Sequence, residues 1–209
     1  MLQFSFNCLE QEMTSSKLDV TVLKKVLSRY SCGTSHNTLK RHLNVLINEA
    51  VSLGIESNPM TEINSKKAKA ILHKPIDDVA VILEDIKSFN KHLHLCCLLT
   101  YCCLLRPHRE VRELTWGDFS NDLSFITLSG FRNKSGRNRI VPVPGFIKPY
   151  LHKKGLDDNL FTIDHYSRNP DYFKTLWSRY KKQSKLIEQG QTLYSFRHSG
   201  AIEIFKRTG

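Results

Sequence analysis

The stretch from Leu93 to Leu105 constrains this chain most. It is apolar almost throughout, interrupted only by His94 and Thr100. A helix that is apolar all round has no face to give to water, so it belongs at the centre of a domain. A membrane span needs roughly 20 apolar residues, and this run is too short for one. The expectation is a globular unit built around one buried helix, from His92 to Leu105. Cys96-Cys97 and Cys102-Cys103 lie inside it, where free cysteine behaves as a small hydrophobe. Adjacent pairs on a helix point in different directions and no CxxC occurs, so core packing is expected rather than a metal site. The N-terminus, Met1-Leu2-Gln3-Phe4-Ser5-Phe6, has no basic start before a hydrophobic stretch, which argues against a signal peptide. A cytosolic protein is expected.

On either side of the central run the periodicity divides the chain. The first dozen residues show no clear period and read as a remnant of a longer N-terminal region. From Ser16 to Tyr30, Leu18, Val22, Val26 and Leu23, Leu27, Tyr30 recur at helical spacing. Ser35 is the expected N-cap of a longer helix with Leu39, Leu43, Leu46, Ile47, Ala50 and Leu53 on one face. Lys40 and Arg41 lie on its polar face, and Gly54 supplies the stop. Asn58-Pro59 closes the unit, and Asn64 to Lys69 reads as a basic linker. This places a helical domain at residues 1–64, a linker at 65–74 and a second domain at 75–209.

In the second domain, Asp77 or Asp78 is expected to cap a helix through Val81, Ile82, Leu83 and Ile86. After Trp116-Gly117-Asp118 the period changes to that of strands. Leu123 to Leu128 and Asn138 to Pro144 flank the turn residues Asn133-Lys134-Ser135-Gly136-Arg137, a β-hairpin. Helical patterns return from Tyr172 to Gln183 and from Phe196 to Phe205, the latter with Ala201, Ile202 and Phe205 facing inward. The fold class is therefore mainly α with a small antiparallel β-hairpin, an α+β arrangement.

Charge narrows the function. Lys and Arg number 31 against 20 Asp and Glu, a formal net charge of +11. Nucleic acid is the first partner that such an imbalance implies, and an acidic membrane surface the second. The cations cluster. Arg106 stands before a proline at the end of the buried helix, where its planar fork suits a phosphate. Lys134 lies at the hairpin tip with Arg132, Arg137 and Arg139 around it and no acid between. Lys174 to Lys185 reads as a helix with a basic face, its Trp177 and Tyr180 being core anchors. Arg197 and His198 open the last helix, whose N-terminal end itself favours an anion.

Those elements, in that order, resemble the tyrosine recombinase (phage integrase) family. Leu105-Arg106 through Leu114-Thr115-Trp116-Gly117-Asp118 looks like its first arginine segment. Asn133-Lys134-Ser135-Gly136 through Val141-Pro142-Val143-Pro144 looks like its lysine hairpin. Tyr194-Ser195-Phe196-Arg197-His198-Ser199 looks like its His-x-x-Arg-His-Thr segment. Leu39 to Pro59 resembles the family's helical core-binding domain, so the second domain would be the catalytic one. The resemblance implies that a tyrosine attacks a DNA phosphodiester and forms a 3′-phosphotyrosyl link, without metal or cofactor. Arg106 and Arg197 would meet the developing charge, and Lys134 would protonate the leaving 5′-oxygen. Lys40, Arg41, Arg132, Arg137, Arg139 and His198 would contact DNA. The implied partners are double-stranded DNA and other recombinase subunits, with no membrane and no small-molecule substrate.

Three departures from the pattern stand out. Glu110 comes four residues after Arg106 where the pattern has three, which makes Arg109 a rival for the arginine role. Tyr194 occupies the position of the family histidine; it can donate a hydrogen bond to a phosphate oxygen but is a poor base near neutral pH. The sequence closes at Gly209, before a Gly-His segment and the attacking tyrosine, so binding without cleavage is the expectation for these residues.

Overall fold

A computed structural model describes residues 1–13, 18–68, 73–132, 136–162 and 164–209. The chain forms two compact units, Met1–Ile71 and Leu72–Gly209. Lys69 of the basic linker and Lys134 of the hairpin tip lie outside the described residues.

The first unit holds α1 (Leu2–Glu12), α2 (Val20–Ser28) and α3 (Gly33–Ser52), followed by a 3-10 turn, Pro59–Glu62. The N-terminal dozen residues, which show no clear period in the sequence, form a helix. Their buried positions are Ser5, Cys8 and Leu9, an i, i+3, i+4 stripe that a small serine and a cysteine make hard to see as apolar. This stripe packs with Leu23, Val26, Leu27, Leu39, Leu43, Ile47, Met60 and Ile63 into one core. The Asp19 carboxylate caps α2 by accepting from Val22 N at 2.9 Å.

The start of α3 also corrects the expectation: it begins at Gly33 with Cys32 in the cap position, not at Ser35. A Cβ on Gly33 would come within 2.7 Å of the Lys67 carbonyl oxygen. The glycine lets Lys66 and Lys67 run against the first turn, where Asn37 donates to Lys66 O and accepts from Lys66 N, at 2.8 and 2.9 Å. At the other end Gly54 takes φ +112 and stops the helix. Asn58 then donates to Asn44 Oδ1 at 3.0 Å and caps the Pro59 turn by accepting from Met60 N.

The second unit is built on α5 (Lys91–Cys102), which packs against α4 (Val79–Phe89), α6 (Tyr172–Gln183) and α7 (Leu193–Thr208). Every residue of α5 from Leu93 to Thr100 is buried, as its all-round apolarity requires. Asn90 caps it, accepting from Leu93 N at 2.9 Å, and Asp78 rather than Asp77 caps α4. Burial pushes the thiols of Cys102 and Cys103 up to about 11 and about 12, consistent with inert core groups. The hairpin pairs β1 (Phe125–Leu128) with β2 (Arg139–Pro142), antiparallel, with Ile126 opposite Val141 and Leu128 opposite Arg139.

The inward face of α7 differs from the periodic reading. Leu193, Ser195, Phe196, Ser199 and Gly200 are buried, whereas Ala201 is exposed, Ile202 is 41% exposed and Phe205 70%. Small residues decide this. Gly200 lies against the Tyr101 carbonyl with no room for a Cβ, and the Ser199 hydroxyl accepts from Ile76 N and donates to Ile76 O. Close approach of α7 to α5 needs that Ser-Gly pair, and it turns the bulkier apolar residues outward.

Candidate functional site

Arg106 is aimed by the way α5 ends. Leu104 takes φ +52, Leu105 is buried, and the proline after Arg106 holds that residue extended, at φ −80 and ψ 122. The chain then makes a single π turn, Pro107–Val111, closed by Val111 N donating to Arg106 O at 3.0 Å. A π turn carries one residue more than an α turn. That extra residue lets Glu110, four positions on, fold back onto Arg106. The Glu110 carboxylate is fully buried; it accepts from Arg106 N at 2.8 Å, from Arg106 Nη1 at 2.5 Å and from Arg139 Nη2 at 2.8 Å. A buried carboxylate persists only when paired in this way.

Arg197 completes the cluster from the second turn of α7. Its guanidinium is part-buried, and Nη1 has no hydrogen-bond partner among the described residues. Burial lowers its pKa, the neighbouring Arg106 lowers it further, and Glu110 pulls the other way. Two arginines therefore share one carboxylate, and Arg197, close enough to feel both Arg106 and Glu110, adds a third cation at the N-terminal end of a helix whose free N–H groups favour an anion. The end is well formed: Thr192 accepts from Tyr194 N at 3.2 Å while Thr192 N donates to Ser195 Oγ at 2.9 Å.

Tyr194 lies one helical turn before Arg197, among imidazoles. Its ring stacks on His73 at 5.3 Å and stands 5.7 Å from His108. His73 in turn is 5.6 Å from His198 and shares a 2.9 Å hydrogen bond with Thr192 Oγ1. Burial, followed by the charge of Lys174, pushes the His108 pKa down. Neither His73 nor His108 was legible as a site residue in the sequence. His73 lies outside every motif, and His108 looked like a spacer between Arg106 and Glu110.

The other expected residues divide by environment. Arg109, the rival of Arg106, points away: it donates to Phe131 O at 2.8 Å and reaches Glu113 at 3.4 Å. Arg132 is held at the base of the hairpin by both carboxylate oxygens of Asp118 and by Glu113 O. Arg139, expected as a DNA contact, lies in the cluster on Glu110. Arg137, His198 and Arg41 are exposed, and Lys40 Nζ lies 3.4 Å from Ser65 Oγ. Among the described residues no His, Cys, Asp or Glu group is arranged to hold a metal ion. Among the described residues no helix is long and apolar enough to cross a membrane.

No family model matches this sequence, and no curated protein matches it. Solved structures do. The lambda integrase (residues 75-356) bound to DNA superposes with a TM-score of 0.77 at 16% identity, over 99% of this chain and 79% of that one. A lambda integrase tetramer bound to a Holliday junction gives 0.80 at 16%, over 100% and 67%. The Tn1549 transposon integrase in complex with a circular intermediate DNA gives 0.67 at 17%, over 99% and 80%. The chain has the tyrosine recombinase fold. At such identity the likeness is one of fold.

Proposed function

We propose that this chain, on its tyrosine recombinase fold, grips a DNA phosphodiester at the Arg106–Arg139–Arg197 cluster, as part of a site-specific recombinase or integrase. The observation that carries the reading is the charge imbalance at Glu110: two guanidinium groups on one carboxylate and a third, Arg197, nearby, whose Nη1 has no acceptor among the described residues. Arg106 and Arg197 take the two non-bridging oxygens, where fixed donors stabilise charge as it develops. The π turn supports Arg106 over Arg109 for this role, since it brings Arg106 and not Arg109 onto Glu110. Tyr194 donates a hydrogen bond to the same phosphate from the histidine position. Lys134 protonates the 5′-oxygen as the P–O5′ bond breaks and a tyrosine oxygen bonds to phosphorus. Residues 1–64 act as a core-binding domain that contacts DNA through Lys40 and Arg41, joined by the basic linker 65–74 to a catalytic domain, 75–209. Arg137 and His198 add contacts to the DNA backbone. Double-stranded DNA and further subunits are the partners, in keeping with the DNA-bound dimers and tetramers of the structural neighbours.

A second reading, DNA occupancy without cleavage, is favoured by one observation. Tyr194 is held between the His73 and His108 rings and precedes Arg197, whereas the attacking tyrosine is expected after it. Two measurements test both readings. DNA affinity is expected to fall steeply with added salt, because each neutralised phosphate releases counterions; salt-independent binding sinks the phosphodiester reading. Incubation with supercoiled plasmid, followed by detection of covalent protein–DNA adducts, separates cleavage from occupancy.

A further inference from the structure

A cavity of about 400 Å³ opens between the first turns of α5 and the loop that follows Tyr150. It shares no residue with the arginine cluster. Lys87, Lys91 and Lys154 line it together with His92, His94 and His152, and no Asp or Glu does. Leu95, Trp116, Tyr150 and Leu160 add apolar and aromatic surface to the lining. Lysine side chains cluster without a counter-charge at a concave surface only at a cost, which an anion removes. Lys87 alone is matched, by Glu84 at 3.2 Å.

One buried group of this lining lacks a partner. Trp116 is 2% exposed, and its indole N–H donates to nothing among the described residues. His94 is 4% exposed, and its ring meets Tyr150 edge-on at 4.9 Å. Buried polar groups are paired in the great majority of cases, so the indole orphan calls for a cause. His92 is oriented by a 2.7 Å bond between Nδ1 and the Tyr172 hydroxyl. Burial lowers the pKa of both His92 and His94, and the cations Arg168, Lys154 and Lys87 lower them further. The lining thus brings imidazoles, an indole and ammonium groups together around one cavity.

We infer that this cavity binds a phosphate monoester carried on an aromatic body, the chemistry of a mononucleotide. The volume suits a small ligand, and a mostly apolar wall with a few placed polar groups is how such sites are built. The aromatic surface would hold the body by stacking, the lysines the phosphate, and the Trp116 N–H and His94 a polar edge. Two sources supply that chemistry: a free mononucleotide, and the terminal nucleotide of a 5′-phosphorylated strand.

Calorimetric titration of the full 209-residue chain tests this with thymidine 5′-monophosphate, thymidine and inorganic phosphate. One site is expected for the monophosphate, with each part binding at least about tenfold more weakly than the whole. Lys91→Ala combined with Lys154→Ala, both exposed residues, should weaken the monophosphate by about tenfold or more. Trp116→Phe should weaken it while leaving the fold intact, and Arg197→Gln in the other cluster should leave it unchanged. The inference is overturned by three results: no binding of the monophosphate, equal affinity in the double lysine variant, or loss of binding in Arg197→Gln. A 5′-phosphorylated oligonucleotide and its unphosphorylated twin tell the sources apart. A phosphate-dependent gain that the lysine variant abolishes points to a strand end; monophosphate binding without that gain points to the free nucleotide.

Discussion

Two arginine-rich regions draw on neighbouring segments of the chain and are built on opposite principles. Around Arg112 and Arg132 every cation is matched. Arg132 holds Asp118, and Arg112 holds Glu113 along with the carbonyls of His108 and Arg168. Around Glu110, Arg106 and Arg139 share a single buried carboxylate, and Arg197 stands near them with no ion pair among the described residues. The first arrangement fastens loops together. The second holds positive charge in surplus, which is what an incoming phosphate needs. Location of the surplus, more than the number of cations, separates a scaffold from a site.

The contrast can be broken most sharply at its hub. Glu110→Gln leaves Arg106 and Arg139 part-buried without a counter-charge, and should lower unfolding stability by about 3–5 kcal/mol. An unchanged urea midpoint would mean that Glu110 does not organise the cluster. Arg197→Ala should do the reverse, moving stability little because Nη1 has no protein partner. Its DNA affinity should fall roughly ten- to a hundredfold, as expected on losing a charged hydrogen-bond donor; filter binding at low salt reads this directly. Arg132→Ala should cost about 1–3 kcal/mol of stability and leave DNA affinity within a factor of about three. If Arg132→Ala weakens DNA as much as Arg197→Ala, the division between scaffold and site fails.

The smallest effect is one of pH. The folded-state pKa values of His92, His94 and His108 lie below the ordinary imidazole value of 6.5, burial being the first cause in each. Below that value the unfolded chain takes up protons that the folded chain resists, so stability is complete above it and falls as the solution is acidified. The melting temperature should drop between about pH 7 and about pH 5. In His108→Phe the drop should be shallower; an identical slope would remove His108 from the account.

Much of the frame was legible in the linear pattern. The buried helix, the hairpin and the extent of α6 follow from periodicity and turn residues, since these are local signals. Three features escaped for definite reasons. The stripe Ser5, Cys8, Leu9 hides α1, because two of its members do not count as strongly apolar. The outward turn of Ile202 and Phe205 depends on Gly200 meeting Tyr101 on another helix. The stacking of His73 on Tyr194 joins residues more than a hundred positions apart, and no spacing rule reaches that far.

What the sequence determined by itself was the apolar run from Leu93 to Leu105 and hence a domain wrapped around one helix, with the order of basic segments along it. What only the tertiary structure decided was which of those cations act together. A periodicity identifies the residues that avoid water, because burial is a property of each residue in turn. Pairing is a property of two. The single extra residue in the turn after Arg106, which the sequence shows only as a departure in spacing, brought Glu110 beneath Arg106 and Arg139 and left Arg109 facing the hairpin.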